Sequence, residues 1–291
     1  MNELLTLAFV AQVLRISVPY VLAALGGTIS ERAGVIHLAL EGILLGSALT
    51  ATLGAQAGGV GLGIVTGVAG GVAVGALYAL VVLRFRADQI VTGVAVNLLA
   101  LGLSRFVLKL VWGSASSSPT VPGFGRGHLD ALFMVFVLGL VILLQVLLAR
   151  TAFGLRVRAT GEHPEAVDSL GVEVPRVRWL AQLAAGALAG LGGAWLALDN
   201  HGFVDRMSGG RGYIALAAMI FGRWRPVGVA AACLLFGFTD ALQLNLQGHE
   251  TGIPRELLQM LPYLVAIVTL AGVIGRSRAP RALGRPWWGR W

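Results

Sequence analysis

The chain has 291 residues, of which 56% are hydrophobic and 12% charged, and its mean hydropathy is +0.80. A soluble domain carries about a quarter charged residues, so this chain lacks the polar surface that a water-soluble globule needs, and lipid is the solvent its composition fits. The formal net charge of +8 does not point to nucleic acid, because most of the Arg residues stand between apolar runs and no basic patch with interleaved aromatics occurs.

Apolar stretches run roughly over 4–27, 33–54, 56–83, 89–112, 130–149, 178–198, 226–246 and 255–275, each near the ~20 residues that carry a helix across a bilayer. A further run, 212–222, is shorter and reads as a half-helix or a crossing supported by its neighbours, since such a segment needs protein or water around its ends. The expected fold is therefore an all-α, polytopic transmembrane helix bundle of about eight or nine spans. The first 26 residues lack a basic leader and carry Arg15 and Pro19 in their middle, so they read as a retained span and not a signal peptide.

Four places collect arginine: Arg84 and Arg86; Arg150, Arg156, Arg158, Arg176 and Arg178; Arg223 and Arg225; and Arg276, Arg278, Arg281, Arg285 and Arg290. The excess of positive charge in cytoplasmic loops puts all four inside. The connectors 113–129, 199–211 and 247–254, richer in Gly, Ser, Pro and Asn, then face outward, and a crossing by 212–222 puts the N-terminus outside. Residues 1–275 form one transmembrane domain with a cytoplasmic loop at 150–176. Residues 276–291 form a basic, Trp-rich cytoplasmic tail in which Trp287, Trp288 and Trp291 read either as an interfacial anchor or as a frayed end.

Gly67, Gly71 and Gly75 recur every four positions, as do Gly186 and Gly190, laying smooth stripes where another backbone can approach, within the bundle or at a dimer interface. HLALEGILLG (37–46) aligns with YIALAAMIFG (213–222) through Ala39 and Ala215, Leu40 and Leu216, and Gly46 and Gly222. On the topology above the two run in opposite directions, as inverted repeats of transporters do; chance in a Gly/Ala/Leu-rich chain explains three identities about as well.

A phosphate-binding P-loop needs a Lys followed by Ser or Thr, and the single lysine, Lys109, precedes Leu110. The chain therefore has no ATPase site of its own. Cys233 is alone, and His37, His128, His163, His201 and His249 are dispersed, so no disulfide, metal set or catalytic residue is indicated.

Polar residues within apolar runs mark the candidate substrate pathway. Glu41 follows His37 by one helical turn, Asn97 has donors and acceptors suited to a sugar or base edge, and Asp240 and Gln243 (with Asn245) lie where a span nears the outer face. For His37 and Glu41 the competing reading is a buried pair that fixes a re-entrant segment; for Asn97 it is a tie between helices. Arg15, Arg105 and Lys109 are expected to snorkel to an interface.

The connector RTAFGLRVRATGEHPEAVDSLGVEVPR (150–176) holds a miniature helix signal. Pro164 suits a first turn, Glu162 and Glu165 favour the positive end of the helix dipole, and Gly171 is placed to end it. The spacing fits about two turns with Ala166, Val167 and Leu170 on one side, too short to stand alone and suited to lie on a partner; an ordinary solvated loop is the competing reading.

This connector resembles the cytoplasmic coupling loop of ABC importer permeases of the branched-chain amino acid and simple sugar superfamily. The likeness runs through Thr151, Gly154, Arg156, Arg158, Ala159, Gly161, Glu162, Pro164, Ala166 and Gly171. SERAGVIHLALEG (30–42) is similar to the matching stretch of nucleoside and simple-sugar permeases, with His37 where an Asn is usual, and RGYIALAAMIFGRWRPVG (211–228) to a later segment. Branched-chain amino acid permeases usually lack the pair seen here as Glu41 and Gly42.

The resemblance implies an importer subunit for nucleosides or simple sugars, seated through Gly154, Arg156, Arg158, Gly161, Glu162, Pro164, Glu165, Ala166, Leu170 and Gly171 on an ATP-binding subunit. It further implies a second, related permease subunit, an extracytoplasmic substrate-binding lipoprotein, and location in the bacterial inner membrane, with no cofactor on this chain and ATP and magnesium held by the ATPase. The alternatives are a branched-chain amino acid permease and an ion-coupled secondary transporter in which Glu41 or Asp240 carries the coupling charge; a non-transporting scaffold would need none of this polar lining.

Overall fold

The computed structural model describes residues 7–114, 116–125, 128–247, 254, 257–258, 260–272 and 278–287. Among them the secondary structure is helical, in the order α1 (Leu7–Arg32), α2 (Leu40–Ala79), a π-helical turn (Leu80–Arg84), α3 (Gln89–Trp112), α4 (His128–Arg150), α5 (Ala152–Glu162), α6 (Pro164–Ser169), α7 (Val174–Asp199), α8 (Arg211–Phe221), α9 (Pro226–Gln247) and α10 (Leu261–Gly272). Among the described residues six helices are long and apolar enough to cross a membrane, the segment Leu40–Arg84 counted as one.

That segment doubles back. Gly58 and Gly59 leave helical geometry, and Gly59 takes a positive φ of 82° that L side chains rarely adopt. The two arms then lie side by side: Thr66 Oγ1 donates to Thr50 O at 2.9 Å, and a Cβ added at Gly63 would stand 3.0 Å from Ala51 O.

The glycine stripes meet within the chain. A Cβ at Gly186 would lie 2.6 Å from Gly71 O, one at Gly190 3.0 Å from Gly67 O, and one at Gly75 3.1 Å from Gly186 Cα. Removal of those side chains lets the α2 and α7 backbones touch, which is how helices associate where apolar burial gives no advantage over lipid. The stripes therefore belong to the bundle interior. Helix α7, with Trp195 fully buried against Phe133 and Phe124, sits at the centre. Helices α3 and α4 turn Val91, Leu98, Phe106, Leu110, Leu132, Val135 and Ile142 outward, a surface suited to lipid.

The four arginine-rich places converge on one end. Arg32 Nε donates to Trp224 O at 3.0 Å, Arg178 Nη1 to Arg285 O at 3.0 Å, and Arg86, Arg178 and Trp287 line one crevice. At the opposite end the connectors after α3 and α7 join. Ser118 N donates to Phe203 O at 2.9 Å, Val121 N to His201 O at 2.9 Å and Phe124 N to Leu198 O at 3.0 Å. The sidedness read from arginine thus matches the fold. The connector at 248–253, Arg126, Arg276, Arg290, Trp288 and Trp291 lie outside the described residues.

Arg15 and Arg105 end on carboxylates: Arg15 pairs with Asp199 and, at 3.2 Å, with Asp130, and Arg105 makes a forked pair with Asp205 at 2.8–3.1 Å. A guanidinium beside lipid is better satisfied by a carboxylate than by reaching. The tail over 278–287 is docked, not frayed. Ala282 N donates to Gly161 O at 2.8 Å and Gly284 N to Gly34 O at 3.2 Å, so it straps the end of α1 to the end of α5.

Candidate functional site

A cavity of about 370 Å³ opens between α1, the start of α8 and α9, walled by Tyr20, Gly209, Arg211, Asp240 and Gln243 together with apolar Ile16, Ile214 and Leu244. Its size falls in the ~300–1,000 Å³ range of small-molecule sites, and convergent polar groups set between apolar side chains are what fixes a ligand's orientation in such sites. Tyr20 OH donates to Asp240 Oδ2. The Arg211 guanidinium stands 6.0 Å from the Tyr20 ring centroid, and its Nη1 donates to Met207 O at 2.9 Å and Ser208 O at 3.3 Å. Asp240 and Gln243, both expected on the pathway, line this cavity. Tyr20 and Arg211 were not foreseen: a tyrosine inside an apolar run and an arginine opening a short helix were the available signals, and neither shows which helices meet.

Glu41 does not line the cavity but holds the turn that brings Gly209 and Arg211 to it. It lies in the first turn of α2, and its carboxylate receives Ser208 Oγ at 2.6 Å and Gly210 N at 2.8 Å on Oε1, and Gly212 N at 2.7 Å on Oε2. Helix α8 has no side-chain cap of its own, and its first N–H groups would otherwise be orphaned inside the bundle. A carboxylate at that positive helix end meets both needs. The turn Ser208–Gly212, which carries Gly209 and Arg211 to the cavity, is held from α2.

Asn97 ties the same region together. Its Oδ1 accepts Gly42 N at 2.8 Å, and its Nδ2 donates to Leu38 O at 2.9 Å and Tyr213 OH at 3.1 Å. Those bonds occupy its amide, so here the helix-tying reading describes it. His37 is fully buried, its ring edge-on to Tyr78 at 5.1 Å between centroids, and among the described residues its ring nitrogens have no partner. No hydrogen bond joins it to Glu41. The non-helical stretch 33–39 is instead pinned by Gln89, whose Oε1 accepts Ile36 N at 2.8 Å, and by Tyr78, whose hydroxyl donates to Ile36 O.

At the arginine-rich end the connector 150–176 forms two helices. Thr151 caps α5, its Oγ1 accepting Gly154 N at 3.1 Å; Pro164 opens α6, and Gly171 follows it with φ +79°. The start and stop signals thus act where the sequence places them, while α5, with Arg156 and Arg158 in it, was not separated from the loop. Gly154 and Gly161 are pressed between backbones: a Cβ at Gly154 would come 2.6 Å from Leu148 Cα, and one at Gly161 3.0 Å from Arg32 C. On α6 the apolar side divides. Val167 is buried, whereas Ala166 is exposed and Leu170 is 83% exposed; Glu165 is exposed beside them, and Glu162 Oε2 takes Arg281 N at 3.4 Å. One residue anchors the helix and the others are left facing away.

The family model for the permease component of branched-chain amino acid transport systems matches residues 9–270. The chain is 36% identical to the guanosine ABC transporter permease protein NupQ of Bacillus subtilis, over 92% of each chain. It is 35% identical to the nucleoside ABC transporter permease protein NupC of Lactococcus lactis, over 98% of each. A solved metal-chelate type ABC transporter in an inward-facing conformation shares the fold at a TM-score of 0.50 and 17% identity, covering 94% of this chain and 88% of that one. A multi-pass helical protein with its arginine at one end, a polar cavity at a broken helix and a small exposed helix on that basic end, this chain belongs to the branched-chain amino acid transport system permease family.

Proposed function

We propose that this chain is a permease subunit of an ABC importer that carries nucleosides across the bacterial inner membrane. ATP and magnesium are held by a separate ATPase, a second related permease completes the pathway, and an extracytoplasmic lipoprotein delivers the substrate. The observation that carries the substrate class is the likeness to two nucleoside permeases over 92% and 98% of the chain. In this reading the two arms of Leu40–Arg84, α8 and α10 all cross or enter the bilayer, which brings the spans to about eight or nine.

Closure of the ATPase pair pushes on α6, where Leu170, Ala166 and Glu165 face outward. The coupling stretch from Gly154, Arg156 and Arg158 through Gly161, Glu162 and Pro164 to Gly171 transmits the push through Gly161 to the end of α1, and α1 carries Tyr20 into the cavity. Substrate passes Asp240 and Gln243, while His37, Glu41 and Asn97 hold the broken helices that shape the way.

Uptake of radiolabelled guanosine by cells expressing the chain with its ATPase, second permease and lipoprotein tests this. Uptake that stops on ATP depletion and survives an ionophore is expected. Collapse with the ionophore but not with ATP depletion would replace the reading with ion coupling, and uptake of leucine without nucleoside would move the chain to the amino acid branch.

A further inference from the structure

The cavity wall carries one charge of each sign, and the two are not joined. Asp240 and Arg211 both line it, yet among the described residues they form no ion pair with each other. Asp240 Oδ2 is held by Tyr20, whereas Oδ1 has no hydrogen-bond partner among the described residues. Arg211 uses Nη1 on Met207 O and Ser208 O, and among the described residues its Nη2 has none. Two ionised groups among spanning helices that are fixed in place but left unjoined call for a neutral ligand with acceptors on one side and donors on the adjacent side. A net negative ligand would meet Asp240, and a sugar ring, whose hydroxyls donate and accept alike, would not need opposite charges.

Among nucleosides the guanine edge fills that order with two groups on each side, where cytosine sets one exocyclic donor beside its two acceptors. Guanine presents N7 and O6 as acceptors, then N1–H and N2–H as donors; a guanidinium matches the first pair and a carboxylate the second. Adenine places a donor at N6 and an acceptor at N1, inverting both contacts. Uracil flanks its single N–H with two carbonyls, one of which faces the carboxylate.

Resting on the nucleoside reading above, we infer that Asp240 and Arg211 select 6-oxopurine nucleosides, Asp240 taking the N1–H and N2–H donors and Arg211 giving to O6 and N7. Tyr20 acts as a positioning residue that holds the carboxylate to one orientation. Gln243, with both a donor and an acceptor, serves the ribose hydroxyls.

The experiment uses the complete importer in proteoliposomes, with the binding lipoprotein saturated by guanosine, inosine or adenosine so that its own preference is removed. The wild type is expected to move guanosine and inosine faster than adenosine. Asp240→Asn, which replaces one acceptor by a donor, should lower the guanosine-to-adenosine rate ratio by roughly tenfold, and inosine, lacking N2–H, should lose less than guanosine. Tyr20→Phe should lower the ratio by a smaller factor. Arg211→Lys, which keeps the charge but not the fork, should shift the ratio the same way and decides the matter alone if Asp240→Asn does not assemble with the ATPase. Equal loss for guanosine and adenosine in the variants overturns the edge-reading inference and leaves nucleoside transport standing. A wild type that moves none of the three but moves xylose or leucine overturns the nucleoside reading, and this inference with it.

Discussion

Glu41 and Gly212, 171 residues apart, are joined by a 2.7 Å bond from the Gly212 N–H to Glu41 Oε2, and the start of one broken helix thereby caps the start of another. A Cβ at Gly212 would stand 2.9 Å from that same oxygen, so the approach needs both the acid on α2 and the glycine on α8. Glu41 lies within the first of the two segments that align as a candidate repeat, 37–46 and 213–222, and Gly212 immediately precedes the second.

Glu41→Ala removes the acceptor of Ser208 Oγ and of two backbone N–H groups. Each group left without a partner costs about 1–3 kcal/mol, and the turn bearing Arg211 loses its hold. The expected outcome is a lower unfolding temperature in detergent and a drop in uptake, although no cavity-lining side chain is altered. Glu41→Gln, which keeps one carbonyl oxygen, should lose less on both counts. Uptake at wild-type level in Glu41→Ala would remove Glu41 from the account of the cavity.

The α2–α7 seam makes a second expectation. Gly186 faces the Gly71 carbonyl and Val72 Cα across the seam, and backbone cannot yield as a flexible side chain can. Gly186→Val should push the helices apart at a cost of about 1–3 kcal/mol or more, read as a lower yield of monodisperse protein and a lower unfolding temperature. Gly102→Val, at a position where a Cβ meets nothing within 4 Å, is the control and should behave as wild type.

Leu170 gives the opposite pattern, loss of function without loss of fold. At 83% exposure it contributes little to the chain's own packing, so Leu170→Asp should change stability by no more than about 0.5 kcal/mol. Co-purification of the ATPase should nonetheless fail. Val167→Asp, aimed at the buried side of α6, should lower both. If Leu170→Asp still brings the ATPase down at wild-type stoichiometry, α6 is not the docking helix.

What the sequence reveals and what it hides divide along the length scale of the interaction. The spans were legible because twenty apolar residues in a row have no other use in this composition. Pro164 and Gly171 were legible because they act on their own backbone, and Gly67, Gly71, Gly186 and Gly190 because a stripe is periodic on one helix. Contacts between helices leave no such trace. Nothing near Arg15 announces Asp199, nothing near Tyr20 announces Asp240, and the tail strap from Ala282 to Gly161 crosses more than a hundred residues. Two pathway candidates, Asp240 and Gln243, reached the cavity; His37, Glu41 and Asn97 were visible only as polar groups in lipid, and whether such a group meets substrate or backbone depends on the partner helix.

The forked pair of Arg105 with Asp205 links α3 to the segment that leads into the cavity turn, and acid should release it. The hydrogen bonds from Arg105 hold the Asp205 carboxyl below the usual carboxylate range. A carboxylate whose folded-state pKa lies below its unfolded value of ~3.9 adds stability that is fully present above that value and is lost as pH falls through the folded value. The contribution of this pair to the unfolding temperature should therefore be fully present and independent of pH between about pH 5 and 8, and should be lost progressively below pH about 4. Asp205→Asn should start lower at neutral pH, its deficit relative to wild type should shrink on acidification, and added salt should narrow the neutral-pH gap because the pair is partly exposed. A deficit that stays constant down to pH ~3 would show that the aspartate acts through its shape and not its charge. An unchanged unfolding temperature in the variant would show that the tie between α3 and the cavity turn is carried by the backbone alone.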